Sequence, residues 1–342
     1  MYEEFFHLAK APFSMTPDPE FLFLAPTHRE ALSGLMFTIL NHRGTAVLTG
    51  EVGTGKTTLL RKLIRALPEE KVQFCCVLNT NVSASEFFEL ILIGFGLPIP
   101  KESKAQRLLR FWEFLMARDQ EGITPVLLID EAHRLTPELL EEVRLLMNFE
   151  TAERKLLQVV LAGQSELRDL LHREDLRQLR QRVSVRLDIL PLKVTEVEPY
   201  VRHRWSLGGG NGNFPFSPQA IDLLAHSSKG IPRVVNAICD ISLLRAYTSE
   251  SVWIDPHTIR EAMGVLEMSE TITEAAVTDA PPAAPLHLPP ADQHASTSEC
   301  DDSQVQSLRE LSIVVERRPP WWAAIFGPLR RVYEQYISSP GQ

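Results

Sequence analysis

Gly50-Glu51-Val52-Gly53-Thr54-Gly55-Lys56-Thr57-Thr58 is the stretch on which the reading of this chain turns. It fits the spacing G-x-x-x-x-G-K-[ST]. It stands directly after the apolar run Ala46-Val47-Leu48-Thr49 and opens a helix predicted over 56–67, ended by Pro68. Glycines between a strand and a helix start let successive backbone N–H groups wrap a phosphate, and the helix N-terminus adds partial positive charge. Lys56 is spaced to reach the β- and γ-phosphates, and the Thr57 hydroxyl to ligate Mg²⁺.

Downstream, Val126-Leu127-Leu128-Ile129 runs into Asp130-Glu131, four apolar residues followed by two acids. A buried strand delivers such acids at its C-terminal end, where ligands gather in open α/β sheets. Asp130 is expected to hold the Mg²⁺ shell, through water, and Glu131 to polarise the attacking water. Two adjacent acids where one serves Mg²⁺ imply hydrolysis of ATP, not nucleotide binding alone. Gln164, one glycine after the apolar run Val159–Ala162, is either a contact to the γ-phosphate and water or an ordinary loop glutamine. Asn79, at the end of the second strand, is a candidate restraint on Glu131. Arg177, Arg180, Arg182 and Arg186 cluster at the last strand; Arg182, then Arg180, is the expected arginine supplied to a neighbouring subunit, against the alternative of solvated helix charges. Gly230-Ile231-Pro232-Arg233 opens a helix with proline in its first turn, which brings Arg233 over the phosphates. His133 extends the acids to Asp130-Glu131-Ala132-His133, a helicase-like string, but the further helicase segments are not recognisable.

Around these motifs the chain alternates strand and helix. Strands are predicted at 46–49, 72–78, 125–129, 156–162 and 184–189, and helices at 27–42 (with Thr27 as N-cap and Glu30 three residues on), 56–67, 85–95, 104–119, 137–148, 166–171 and 175–180. Near-continuous apolar strands between amphipathic helices indicate a five-stranded parallel sheet covered on both faces. Residues 1–26, rich in Phe and Pro, read as an irregular strap packed on a domain, because disorder seldom carries so many aromatics. From Thr195 the pattern is all-helical, at 195–206, 217–227, 231–247 and 256–267. The expected organisation is thus a core with its strap at 1–192 and a small helical lid at 193–268. A disordered acidic, proline-rich linker at 269–308 and an amphipathic segment at 309–342 follow. That last segment carries Trp321, Trp322, Ile325, Phe326, Leu329, Val332 and Tyr333 beside Arg330 and Arg331, a pattern for peripheral membrane contact or for docking on protein.

Net charge of −9 and a pI near 5.6 argue against a surface built wholly to coat nucleic acid. The four cysteines have neither metal-ligand nor disulfide-framework spacing. The acidic start Met1-Tyr2-Glu3-Glu4 is no signal peptide, and no apolar run reaches the roughly 18 residues of a membrane span. A cytoplasmic location, peripheral at the inner membrane, is expected.

These motifs together resemble the AAA+ superfamily. The resemblance is closer to general secretion pathway protein A, exosortase-associated and pilus-biogenesis ATPases. It rests on Met1-Tyr2 with Phe5-Phe6, Pro12-Phe13, Thr16-Pro17-Asp18-Pro19, Phe21-Leu22 and His28-Arg29-Glu30-Ala31-Leu32, and further on Glu142 to Thr151, Leu161-Ala162-Gly163-Gln164 and Leu179-Arg180-Gln181-Arg182. It covers about residues 1–267. It implies an α/β P-loop AAA+ core, a helical lid, ATP with Mg²⁺, self-association into an oligomer or ring, and partners in envelope secretion, pilus or exopolysaccharide export. Secretion protein A usually continues into a membrane span and a peptidoglycan-binding module, neither of which is visible here, so peptidoglycan binding is not carried over. Transposition helper ATPases share the same core, so a DNA-binding transposition regulator is the alternative. A nucleotide-gated scaffold without turnover is disfavoured by the intact Glu131.

Overall fold

The computed structural model describes residues 1–78, 82–98, 103–210, 212 and 214–266. The predicted linker, the amphipathic segment and Asn79 lie outside the described residues. Five strands, β1 (Thr45–Gly50), β2 (Val72–Val77), β3 (Thr124–Ile129), β4 (Gln158–Gly163) and β5 (Val185–Ile189), form one sheet in the order β2-β3-β4-β1-β5. Every pairing is parallel. After α1 (Tyr2–Phe5) and α2 (Pro26–Leu40), which precede the sheet, the crossovers that parallel neighbours need are supplied by α3 (Lys56–Ala66), α4 (Ala84–Gly94), α5 (Lys104–Gln120), α6 (Pro137–Leu146), α7 (Glu166–His172) and α8 (Arg177–Gln181). Then come α9 (Val194–Leu207), α10 (Pro218–Ser227), α11 (Pro232–Thr248) and a last helix over 256–266, α12.

Strand side chains alternate between two buried faces, which is why the strands read as unbroken apolar runs. Ala46, Leu48, Val126, Leu128 and Val160 join Leu32 and Leu35 of α2 and Leu59 and Leu63 of α3. Val47, Leu127, Ile129, Val159 and Leu161 join Phe87 and Ile91 of α4, Phe111 and Leu115 of α5 and Val143 of α6. Phe111 is fully buried, its ring 5.8 Å from Phe88 and 5.5 Å from Phe149.

Helix starts follow local capping chemistry. Ser83 with Glu86 and Ser103 with Gln106 form capping boxes, and Thr136 caps α6 ahead of Pro137. The expected Thr27 cap of α2 is corrected: the helix starts at Pro26, with Ala25 before it and no side-chain cap. Proline has no N–H to satisfy and a φ already suited to a first helical turn, so the helix begins one residue before the threonine can cap it.

The strap, read in sequence with the core, packs largely on the helices that follow the sheet. Tyr2, Phe13 and Ala25 share an apolar cluster with Val197, Val201 and Trp205 of α9, Leu224 of α10 and Val235 and Cys239 of α11. Tyr2 OH donates to Asp240 at 2.5 Å, and the Ala9 N–H to the Gly208 carbonyl at 2.8 Å. Arg204 is buried and carries the centre of this contact. Its Nε donates to the Pro12 carbonyl at 2.6 Å and its Nη2 to the Ser14 carbonyl at 3.4 Å, and its guanidinium lies over the Phe21 ring. The strap then crosses to α3, where Arg61 donates to the Pro17 carbonyl at 2.7 Å. Gly230, at φ +70, closes the junction between sheet and helices. Its carbonyl accepts from Leu192 N–H, and a Cβ there would stand 1.9 Å from the Leu192 carbonyl oxygen.

Candidate functional site

The loop between β1 and α3 lies at the C-terminal edge of the sheet. Gly53 and Gly55 hold φ +80 and +99, a region that favours glycine, and so turn the backbone N–H groups inward ahead of α3. Thr54, fully buried, braces the loop by donating from Oγ1 to the Glu51 carbonyl. Lys56 is 7% exposed, and its Nζ donates to the Gly50 and Glu51 carbonyls, both at 2.8 Å. Burial pushes its pKa down, while the nearby Glu131 and Asp130 oppose that shift.

β3 delivers the acids. Asp130 is buried, and its Oδ2 accepts from Thr57 Oγ1 at 2.8 Å, so the two oxygens expected at a metal already face each other. Hard oxygen donors at one corner of a phosphate cradle suit Mg²⁺, which takes few protein ligands and completes its shell with phosphate and water. Among the described residues no cluster of three or more His, Cys, Asp or Glu could hold a metal by itself, so such an ion would depend on Thr57, Asp130 and the nucleotide. Glu131 follows with φ 53, an uncommon conformation for a non-glycine residue. Its carboxylate stands 3.4 Å from His133 Nδ1.

One cavity of about 410 Å³ is lined by Val52–Thr58, Glu131, Gln164 and Arg233, and also by Ser14–Asp18 and Phe21–Phe23 of the strap with Tyr200, Arg204 and Asn236. Arg233 reaches it because Pro232 opens α11 against the loop: Arg233 N–H donates to the Gly53 carbonyl at 3.1 Å. A Cβ on Gly53 would stand 2.6 Å from Arg233 Cβ, so the loop and the helical part touch without room for a side chain. Arg180 and Arg182 do not line this cavity. Arg180 donates to the His172 carbonyl, and Arg182 ends α8 near Glu141 and Glu150.

Sequence reasoning did not assign the strap, His28, Tyr200, Arg204 or Asn236 to this cavity. His28 is 2% exposed and its Nε2 lies 2.9 Å from the Thr54 carbonyl, which can only accept, so Nε2 bears the proton. The aromatic density of residues 1–26 was the available signal. A second cleft, of about 540 Å³, lies near the strand starts by Arg43, Glu150, Arg154 and Ser184, away from these groups.

A parallel sheet ordered β2-β3-β4-β1-β5, a phosphate loop after its first strand and a helical part closing on that loop define a P-loop protein of the AAA+ class, and this chain is one. Residues 39–171 match the family model described as AAA domain. In sequence the chain is similar to General secretion pathway protein A of Aeromonas hydrophila, 41% identical over 252 residues. That span is 73% of this chain and 46% of the relative, so the chain covers about half of the relative's length. Over that span the chain resembles the general secretion pathway protein A type of module. Solved structures of similar fold include the ORC2 protein of Aeropyrum pernix (TM-score 0.59, 17% identity, 75% of this chain and 72% of that one). Another is Cdc6p of Pyrobaculum aerophilum (0.58, 20%, 72% and 70%). Among the described residues no helix is long and apolar enough to cross a membrane.

Proposed function

We propose that this chain hydrolyses ATP and uses the cycle to regulate or remodel a cell-envelope secretion, pilus or exopolysaccharide export system. The observation that carries the reading is the pairing of Thr57 Oγ1 with Asp130 Oδ2 at 2.8 Å, with Glu131 beside it at the mouth of one cavity. In this reading the amides of Gly53–Thr58 and Lys56 Nζ bind the phosphates, and Thr57 and Asp130 orient the cation, Asp130 through water. Bound Mg²⁺ would supply charge neutralisation at the phosphates. Glu131 accepts a proton from the attacking water, Gln164 orients that water or the terminal phosphate, and Arg233 reports the phosphate state to α11. The strap and Tyr200 enclose the base end.

Arg182 or Arg180, outside its own cavity, acts in the site of a neighbouring copy, so the working form is an oligomer or ring on the cytoplasmic side of the inner membrane. The secretion assignment is supported by the likeness to General secretion pathway protein A over the span described. The test is phosphate release by the purified full chain beside its Glu131→Gln variant. Turnover that the variant lacks, with ATP still bound, supports hydrolysis at this site; equal turnover would remove Glu131 from the role.

A further inference from the structure

We propose that His133 is the positioning residue for Glu131, and that its Nδ1 couples the carboxylate to the end of β4 at Gln164. The inference rests on the ATPase reading above and adds a residue to it.

The geometry begins with the backbone. Glu131 at φ 53 turns the chain sharply, and Ala132–Arg134 forms a single 3₁₀ turn that brings the imidazole back toward the acid. The turn is packed on the sheet: Ala132 is fully buried, and a Cβ on Gly163 would come 3.1 Å from His133 N. From that seat Nδ1 lies 3.4 Å from Glu131 Oε2 and 3.4 Å from the Gln164 amide nitrogen. The His133 side chain is mostly buried, at 14% exposure, whereas that of Glu131 is 42% exposed. A half-exposed glutamate on three rotatable bonds samples many orientations, and a donor fixed to the sheet narrows them to one.

Nδ1 has one valence to spend. Without a proton it accepts from Gln164 N–H and holds nothing of Glu131; with a proton it donates to Glu131 Oε2 and gives up Gln164. Gln164 lines the nucleotide cavity. A terminal phosphate that draws the Gln164 segment toward itself therefore frees the Nδ1 lone pair, which takes a proton from solvent, either as a net gain or in exchange for the one on Nε2, and then donates it to the carboxylate. The base becomes oriented when the phosphate it serves is present. Sequence reasoning placed a restraint on Glu131 at Asn79, which lies outside the described residues; His133 is a further group beside that carboxylate.

The test compares His133→Ala, His133→Gln and His133→Asn in the full chain, by phosphate release and by displacement of a fluorescent nucleotide with ATP. Asparagine sets a polar atom where Nδ1 stands, whereas glutamine reaches the place of Nε2. Alanine and glutamine are expected to lower kcat about tenfold, the loss of one orienting hydrogen bond, with ATP affinity within about twofold of wild type. Asparagine is expected to recover most of the rate. Wild-type kcat in the alanine variant overturns the proposal. So does equal impairment of all three variants, or a fall in affinity that matches the fall in rate, since each marks a merely structural role. A wild-type chain that releases no phosphate overturns the ATPase reading itself, and this inference with it.

Discussion

Replacing Arg204 by methionine isolates the contact that ties the strap to the helices. The substitution keeps most of the stem packing and removes donors at 2.6 Å to the Pro12 carbonyl, 3.4 Å to the Ser14 carbonyl and 3.5 Å to Tyr200 OH. A hydrogen bond to a charged group contributes about 1.5–3 kcal/mol, and one short bond plus two long ones comes to roughly 3 kcal/mol. Felt by the whole fold, that loss lowers Tm by about 4–5 °C for a chain of this size. Felt locally, it frees residues 1–26 and opens the cavity wall that Ser14–Asp18 and Phe21–Phe23 form. Circular-dichroism melting, limited proteolysis of the strap and titration with a fluorescent ATP analogue read both outcomes. Lysine at this position restores the charge but not the fork, and recovers less than half of the loss. A methionine variant with Tm within about 2 °C of wild type, an equally protected strap and unchanged nucleotide affinity would refute the reasoning.

Glu131→Gln retains ATP binding and loses turnover at least about a hundredfold, whereas Lys56→Ala weakens binding itself; binding and phosphate-release assays separate the two. Inactive Lys56→Ala and Arg182→Ala chains, mixed, partly restore each other's activity if the arginine acts between copies, and absence of rescue for both Arg182 and Arg180 variants would point to a monomeric enzyme. Phe111→Ala empties a fully buried ring site and lowers stability by about 3–5 kcal/mol in urea unfolding. Burial pushes the pKa values of His28, His42 and His203 down, so the unfolded chain binds more protons than the folded one below about pH 6.5. Stability therefore falls as pH drops from that value toward the folded pKa values; a Tm that stays level from pH 7.5 to 5.5 would contradict this.

What could be read without coordinates was what is encoded locally. The phosphate loop and the acids of β3 are short motifs whose chemistry fixes their spacing, and the unbroken apolar runs of β3 and β4 come from burial on both faces. The Thr27 cap failed because a correct local rule met a competing one, Pro26 at the first helical position. The strap's seat was not legible. Arg204 meets Pro12 across 192 positions and Tyr2 meets Asp240 across 238, and no periodicity links such partners. The approach of His133 to Glu131 was hidden likewise, because it depends on a left-handed turn at Glu131 that nothing in the residue types demands. The role proposed for Arg180 and Arg182 involves a second chain, and one chain's sequence is silent about where such a neighbour would sit.

The same separations set an order of events during synthesis. At roughly 5–20 residues per second, the 238 residues between Tyr2 and Asp240 take about 12–48 s to leave the ribosome. Through that interval Phe6, Phe13 and Phe23 have emerged and the helices that bury them have not. The first segment made thus waits for helices made far later. A nascent chain that already owns its phosphate loop and both acids still lacks the docked strap, and with it one wall of the cavity. The unpaired aromatics meanwhile are what a chaperone near the exit tunnel would meet first.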